Sequence, residues 1–179
     1  MDGDGLPEAL IDTDVARMIY KIDASGPTLL VSVPVSADGQ IDIGAGPGAF
    51  DFRGHGPDWI AADASGLTLF AGMGPTSLGD VMAFSIDGPT LPVVADIDND
   101  GSADVLLVEQ FGSGFASVIA FEDAQHRPSP ARRIWNQWNY VASAVREDGK
   151  LPAPGLSQAS TFRVQSRLGC QIAMPPLTR

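Results

Sequence analysis

With 179 residues, 44% of them apolar and only 18% charged, the chain can bury the core of one ordinary domain or one large all-β domain, and its composition does not suggest disorder. Its 20 glycines and 14 prolines point to many short elements joined by tight turns. A formal charge of −11 argues against nucleic acid as a partner, and Cys170, the one cysteine, excludes an internal disulfide and a cysteine-built zinc cluster.

The first ten residues, MDGDGLPEAL, lack the basic and apolar regions of an export signal, and no run of about 18 apolar residues follows anywhere. The expectation is a segment with neither its own signal nor a membrane span. The same start holds Asp2, Asp4, Gly5 and Glu8 ahead of an apolar run, the pattern of alternate acids, glycine and closing acid that recurs twice downstream. Strands are predicted over 16–22 and 28–35, which are short, aliphatic or aromatic, and bounded by Ser-Gly and Asp-Gly turn signals.

The second copy of the pattern, FDFRGHGPDWIAAD at 50–63, keeps Asp51, Gly56 and Asp58 but carries Arg53 and His55 where two acids belong, and it is one residue short. This loop is expected to keep its fold without metal, with Arg53 itself supplying positive charge. His55 reads as a turn residue and not as a base. Further strands are predicted over 67–71 and 81–86.

The third copy, VADIDNDGSADVLL at 94–107, is the most complete: Asp96, Asp98, Asp100 and Asp104 stand at positions one, three, five and nine, with Gly101 at six and Ser102 at seven. Alternate carboxylates, a glycine at the sharp turn and a backbone carbonyl after it suit a hard cation held by six to eight oxygens, which calcium tolerates and magnesium does not. The EF-hand differs, because its twelfth residue is a bidentate glutamate and here that residue is Leu107. Its flanks are helices, whereas 91–95 and 105–108 read as buried strands. A plain hairpin turn accounts for Asn99, Asp100 and Gly101, but it does not require Asp96, Asp98 and Asp104.

Charge then reverses: residues 1–124 hold three basic and 20 acidic side chains, residues 125–179 eight and two. The basic tail is either a binding arm or, the favoured reading, a segment that docks back on the acidic body. Trp135, Trp138 and Tyr140 among arginines offer either a stacking platform for a sugar or base, or a cover for the last strands. The expected division is 1–124 for the repeats and 125–179 for a closing segment and tail.

The glycines of the three loops, Gly5, Gly56 and Gly101, are 51 and 45 residues apart, a spacing suited to four-stranded propeller blades. PVVADIDNDGSADVLL and AFDFRGHGPDWIAADASGLTLFAG resemble FG-GAP or VCBS repeats, the calcium-binding blades of integrin-alpha-like β-propellers found in bacterial surface and secreted proteins. The resemblance covers most of residues 1–122. It implies an all-β partial propeller of about three four-stranded blades with a C-terminal extension, and calcium on Asp96, Asp98, Asp100, Asp104 and the Ser102 carbonyl. It implies the same, less completely, for Asp2, Asp4 and Glu8.

Propellers use four to eight blades, so further blades from a missing N-terminal part of the chain are expected as partners. No nucleophile elbow, phosphate-cradling loop or metal-spaced histidine pair occurs. The sequence therefore predicts a non-enzymatic, calcium-stabilised segment of an extracellular or cell-surface protein that serves adhesion or recognition of a protein or glycan. The alternative is a glycan-binding accessory module of a larger secreted polysaccharide-processing enzyme.

Overall fold

A computed structural model describes residues 6, 8–35, 47–63, 66–82, 91–111, 115–125, 128–135, 145–146 and 148–151. The fold is all-β. Among the described residues ten strands follow one another: β1 (Glu8–Asp12), β2 (Ala16–Asp23), β3 (Gly26–Pro34), β4 (Gly48–Phe50), β5 (Asp58–Asp63), β6 (Gly66–Phe70), β7 (Ser77–Met82), β8 (Val93–Ala95), β9 (Asp104–Phe111) and β10 (Phe115–Phe121). They form three antiparallel sheets in sequence order, β1-β2-β3, β4-β5-β6-β7 and β8-β9-β10. Among the described residues no helix is long and apolar enough to cross a membrane.

Strand β5 explains how the sheets are assembled. Successive side chains of a strand point to opposite faces, and in DWIAAD both faces are apolar. Trp59 and Ala61 join Ile19 and Phe70 in one core, against which Leu10, Val31 and Val33 of the first sheet pack. Ile60 and Ala62 join Phe50, Phe52, Val94, Val105 and Leu107 in a second core, shared with the third sheet. The middle sheet is thus covered on both faces, and the three sheets stack face to face in chain order.

Two aromatic pairs lock this layer, one across strands and one within the segment that ends β4. Trp59 lies opposite Phe70 in the β5–β6 ladder, with the rings stacked at 3.8 Å, and Phe50 meets Phe52 edge-on at 5.0 Å. The middle sheet carries the four strands expected of a blade, while its neighbours each show three among the described residues.

Most predicted strands are found within two or three residues of their expected ends. The exception is the strand expected over 81–86: β7 begins at Ser77, because its pairing with β6 runs through the polar and glycine positions Ser77, Gly79 and Asp80 and follows the partner strand, not local hydropathy. Residues 83–86 lie outside the described residues.

Candidate metal centre

The 96–103 loop joins β8 to β9 and is closed by the last rung of their ladder, Ala95 opposite Asp104. Inside it each acid first organises backbone. The Asp96 Oδ1 accepts from the Asn99 amide (2.7 Å), Asp98 Oδ1 from the Asp100 amide (3.0 Å), Asp100 Oδ1 from the Ser102 amide (2.7 Å) and Asp104 Oδ2 from the Ile97 amide (3.0 Å). Aspartate side chains commonly cap turns in this way. The path also needs left-handed backbone at Asn99 (φ 67°) and Gly101 (φ 89°), conformations these two residue types reach most easily.

These bonds bring the carboxylates together. One oxygen each from Asp96, Asp98 and Asp104 lies within 4.8 Å of the other two, and the same holds for Asp98, Asp100 and Glu122. At such a separation each pair of charges repels by about 1 kcal/mol in water and by about 3 to 4 kcal/mol at an effective dielectric of 20. Asp104 is the member under most stress. It is 1% exposed, and its Oδ1 has no hydrogen-bond partner. Burial pushes its carboxyl above the usual range, and the charges of Asp98, Asp100 and Glu122 push it further. The turn bonds alone explain Asp96, Asp98 and Asp100, but they leave the Asp104 Oδ1 without a partner. A cation bound there would satisfy it.

The second loop gives an internal comparison. Asp58 opens β5 opposite Phe50, the last residue before its loop, as Asp104 opens β9 opposite Ala95. Asp58 is likewise fully buried, but the Arg53 guanidinium reaches it, with Nη2 at 2.7 Å from Oδ1 and Nε at 3.1 and 3.2 Å from the two oxygens. The Gly72 amide donates to the same Oδ1 at 2.9 Å. The bond to Asp58 raises the pKa of Arg53. One loop therefore carries its own cation on the closing acid, and the other presents an equivalent acid with an unsatisfied oxygen. Arg53→Met is expected to lower the melting temperature in calcium and in chelator alike, because it strands the buried Asp58 charge in a loop expected to hold no metal; paired thermal melts check this. His55 is exposed in the same loop.

Of the remaining candidates, Ser102 is buried, and its hydroxyl lies 3.5 Å from the Pro128 carbonyl oxygen. Glu8 opens β1 and stands opposite Lys21 in the β1–β2 ladder, while Asp2 and Asp4 lie outside the described residues. Glu122 was not among the sequence candidates. It lies 18 residues beyond Asp104, and only the pairing of β10 with β9 brings it back to the loop.

The chain after β10 also returns to this loop. The Arg132 carbonyl accepts from the Asp96 amide (3.3 Å), Arg133 Nη1 donates to Asn99 Oδ1 (2.7 Å), the Ser129 amide donates to the Phe52 carbonyl (2.8 Å), and Ala131 is fully buried in the second core. Residues 128–133 therefore dock on the acidic body. Trp135 is half-buried; Trp138 and Tyr140 lie outside the described residues.

No family model matches the chain, and neither does any curated protein. Among solved structures, the Vibrio cholerae biofilm matrix protein Bap1 shares the fold, with a TM-score of 0.71 and 24% sequence identity over 89% of this chain. The matched region spans 27% of the Bap1 chain.

Proposed function

We propose that this chain is a non-enzymatic, calcium-stabilised β-propeller segment of the FG-GAP or VCBS kind, part of an extracellular adhesion or matrix protein. The observation that carries the calcium reading is the buried, unpartnered Oδ1 of Asp104, whose carboxylate converges with those of Asp96 and Asp98. Asp96, Asp98, Asp100 and Asp104, with the Ser102 carbonyl, would hold the ion, and the Asp2, Asp4 and Glu8 loop is a second, less complete candidate. The ion would supply the positive charge that these acids share, fixing the turn between β8 and β9. The fold it shares with a biofilm matrix protein supports an extracellular setting and a protein or glycan ligand. We place the repeats in 1–124 and the closing segment in 125–179.

The ligand set predicts selectivity. Isothermal titration should show calcium binding with a dissociation constant at or below the millimolar range typical of extracellular modules, and little heat from magnesium, whose octahedral demand this irregular set of acids meets poorly. Equal affinity for the two ions would count against a calcium site. Calcium-dependent retention on immobilised matrix polysaccharide or protein, lost in chelator, tests the adhesive role.

A further inference from the structure

We infer that Glu122 is a further ligand of this cation site, so that the ion ties the exit of β10 to the β8–β9 loop and fixes the chain segment that leaves β10. The inference rests on the calcium reading and extends it to a residue outside the loop.

Register places Glu122 there. In the β9–β10 ladder Phe121 lies opposite Val105, so Glu122, the residue that follows β10, comes level with Asp104, at the end of the sheet from which the 96–103 loop projects. The carboxylates of Asp98, Asp100 and Glu122 converge within 4.8 Å, and Asp98 also belongs to the Asp96, Asp98 and Asp104 group. The two groups share Asp98, which joins the set that holds Asp104 to the set that holds Glu122. The buried Asp104 Oδ1, which has no hydrogen-bond partner, lies at one end of this series and Glu122 at the other. Calcium takes six to eight oxygens, more than the loop's four acids supply as single donors, and a carboxylate from a neighbouring strand helps to complete the shell.

The consequence reaches beyond the turn. Nine to eleven residues after Glu122 the chain lies back over the same loop through the buried Ala131, the Arg132 carbonyl and Arg133. With Glu122 on the ion, the connection between β10 and residues 128–133 is pinned at both ends to one loop. Calcium binding and docking of this segment then reinforce each other, because each orders groups that the other needs.

The test uses the full chain and calcium itself. Titration calorimetry compares wild type, Glu122→Gln and Asp123→Asn, the last removing the same charge one residue further on. Glu122→Gln is expected to raise the dissociation constant about tenfold, equivalent to about 1.4 kcal/mol, while Asp123→Asn changes it less than about twofold. In parallel, calcium should slow tryptic cleavage at Arg132 and Arg133 in wild type, and should slow it less in Glu122→Gln at the same calcium concentration. Unchanged affinity in Glu122→Gln, or equal weakening by Asp123→Asn, overturns the ligand assignment and leaves the loop site standing. A wild-type chain that binds no calcium overturns both.

Discussion

Calcium is expected to raise the melting temperature of the wild-type chain and to leave that of Asp104→Asn unchanged. A ligand that binds only the folded state at 100 times its dissociation constant adds about 2.7 kcal/mol of stability. For a chain of this size that corresponds to about 5 to 10 °C. About 10 mM calcium reaches that ratio at the tighter end of extracellular affinities, about 0.1 mM. The asparagine variant is chosen because its amide oxygen can still accept from the Ile97 amide, the bond Asp104 Oδ2 makes now. What it loses is the charge.

The chelated state makes the comparison sharper. Without a cation, Asp104 holds a buried oxygen with no partner beside other carboxylates, so neutralising it should not destabilise the calcium-free protein and should raise its melting temperature slightly. A purely structural aspartate predicts the opposite: a large loss in Asp104→Asn both with and without calcium. Double substitution of Asp98 and Asp100 by asparagine should likewise abolish the calcium shift. A wild-type melt indifferent to calcium and chelator would refute the site.

The loop was legible in the sequence because its information is local. Acids at positions one, three, five and nine with glycine at six lie on a stretch shorter than any strand pair, and their turn bonds involve residues two to seven apart. The strands flanking it were legible for the same reason. Arg53 was readable as a substitute charge because it replaces an acid at an alternate position, although its bidentate reach onto Asp58 depends on loop closure. Glu122 was not readable. It joins the site through the β9–β10 register, and register is a property of paired strands that a single segment does not display. The start of β7 was missed on the same grounds, since its residues 77–80 are extended by their partner and not by their own hydropathy.

The middle strand β5 shows what local reading leaves open at the level of the whole fold. Only the structure assigns Trp59 and Ala61 of DWIAAD to the first sheet's side and Ile60 and Ala62 to the third's. That division predicts separable effects. Trp59 is 1% exposed, stacks on Phe70 and donates its indole N–H to the Gly74 carbonyl at 3.2 Å. Trp59→Ala should therefore cost about 3 to 5 kcal/mol, the range for deleting a large buried aromatic side chain, together with the stacking contribution.

The loss should be directional as well as large. The cavity opens on the interface with β2 and β3, so amide exchange in those strands should accelerate by orders of magnitude before that of β8 and β9 changes. The third sheet keeps its own packing through Phe50, Ile60, Val94 and Leu107, so calcium affinity measured by titration should stay within about twofold of wild type while the chain remains folded. Phe50→Ala, on the other face of the same sheet, should do the reverse: it removes packing beneath the 96–104 loop and should weaken calcium binding. If Trp59→Ala weakens calcium as much as Phe50→Ala does, the two cores are not independent supports, and the metal loop reports on the stability of the whole stack and not only on the sheet that carries it.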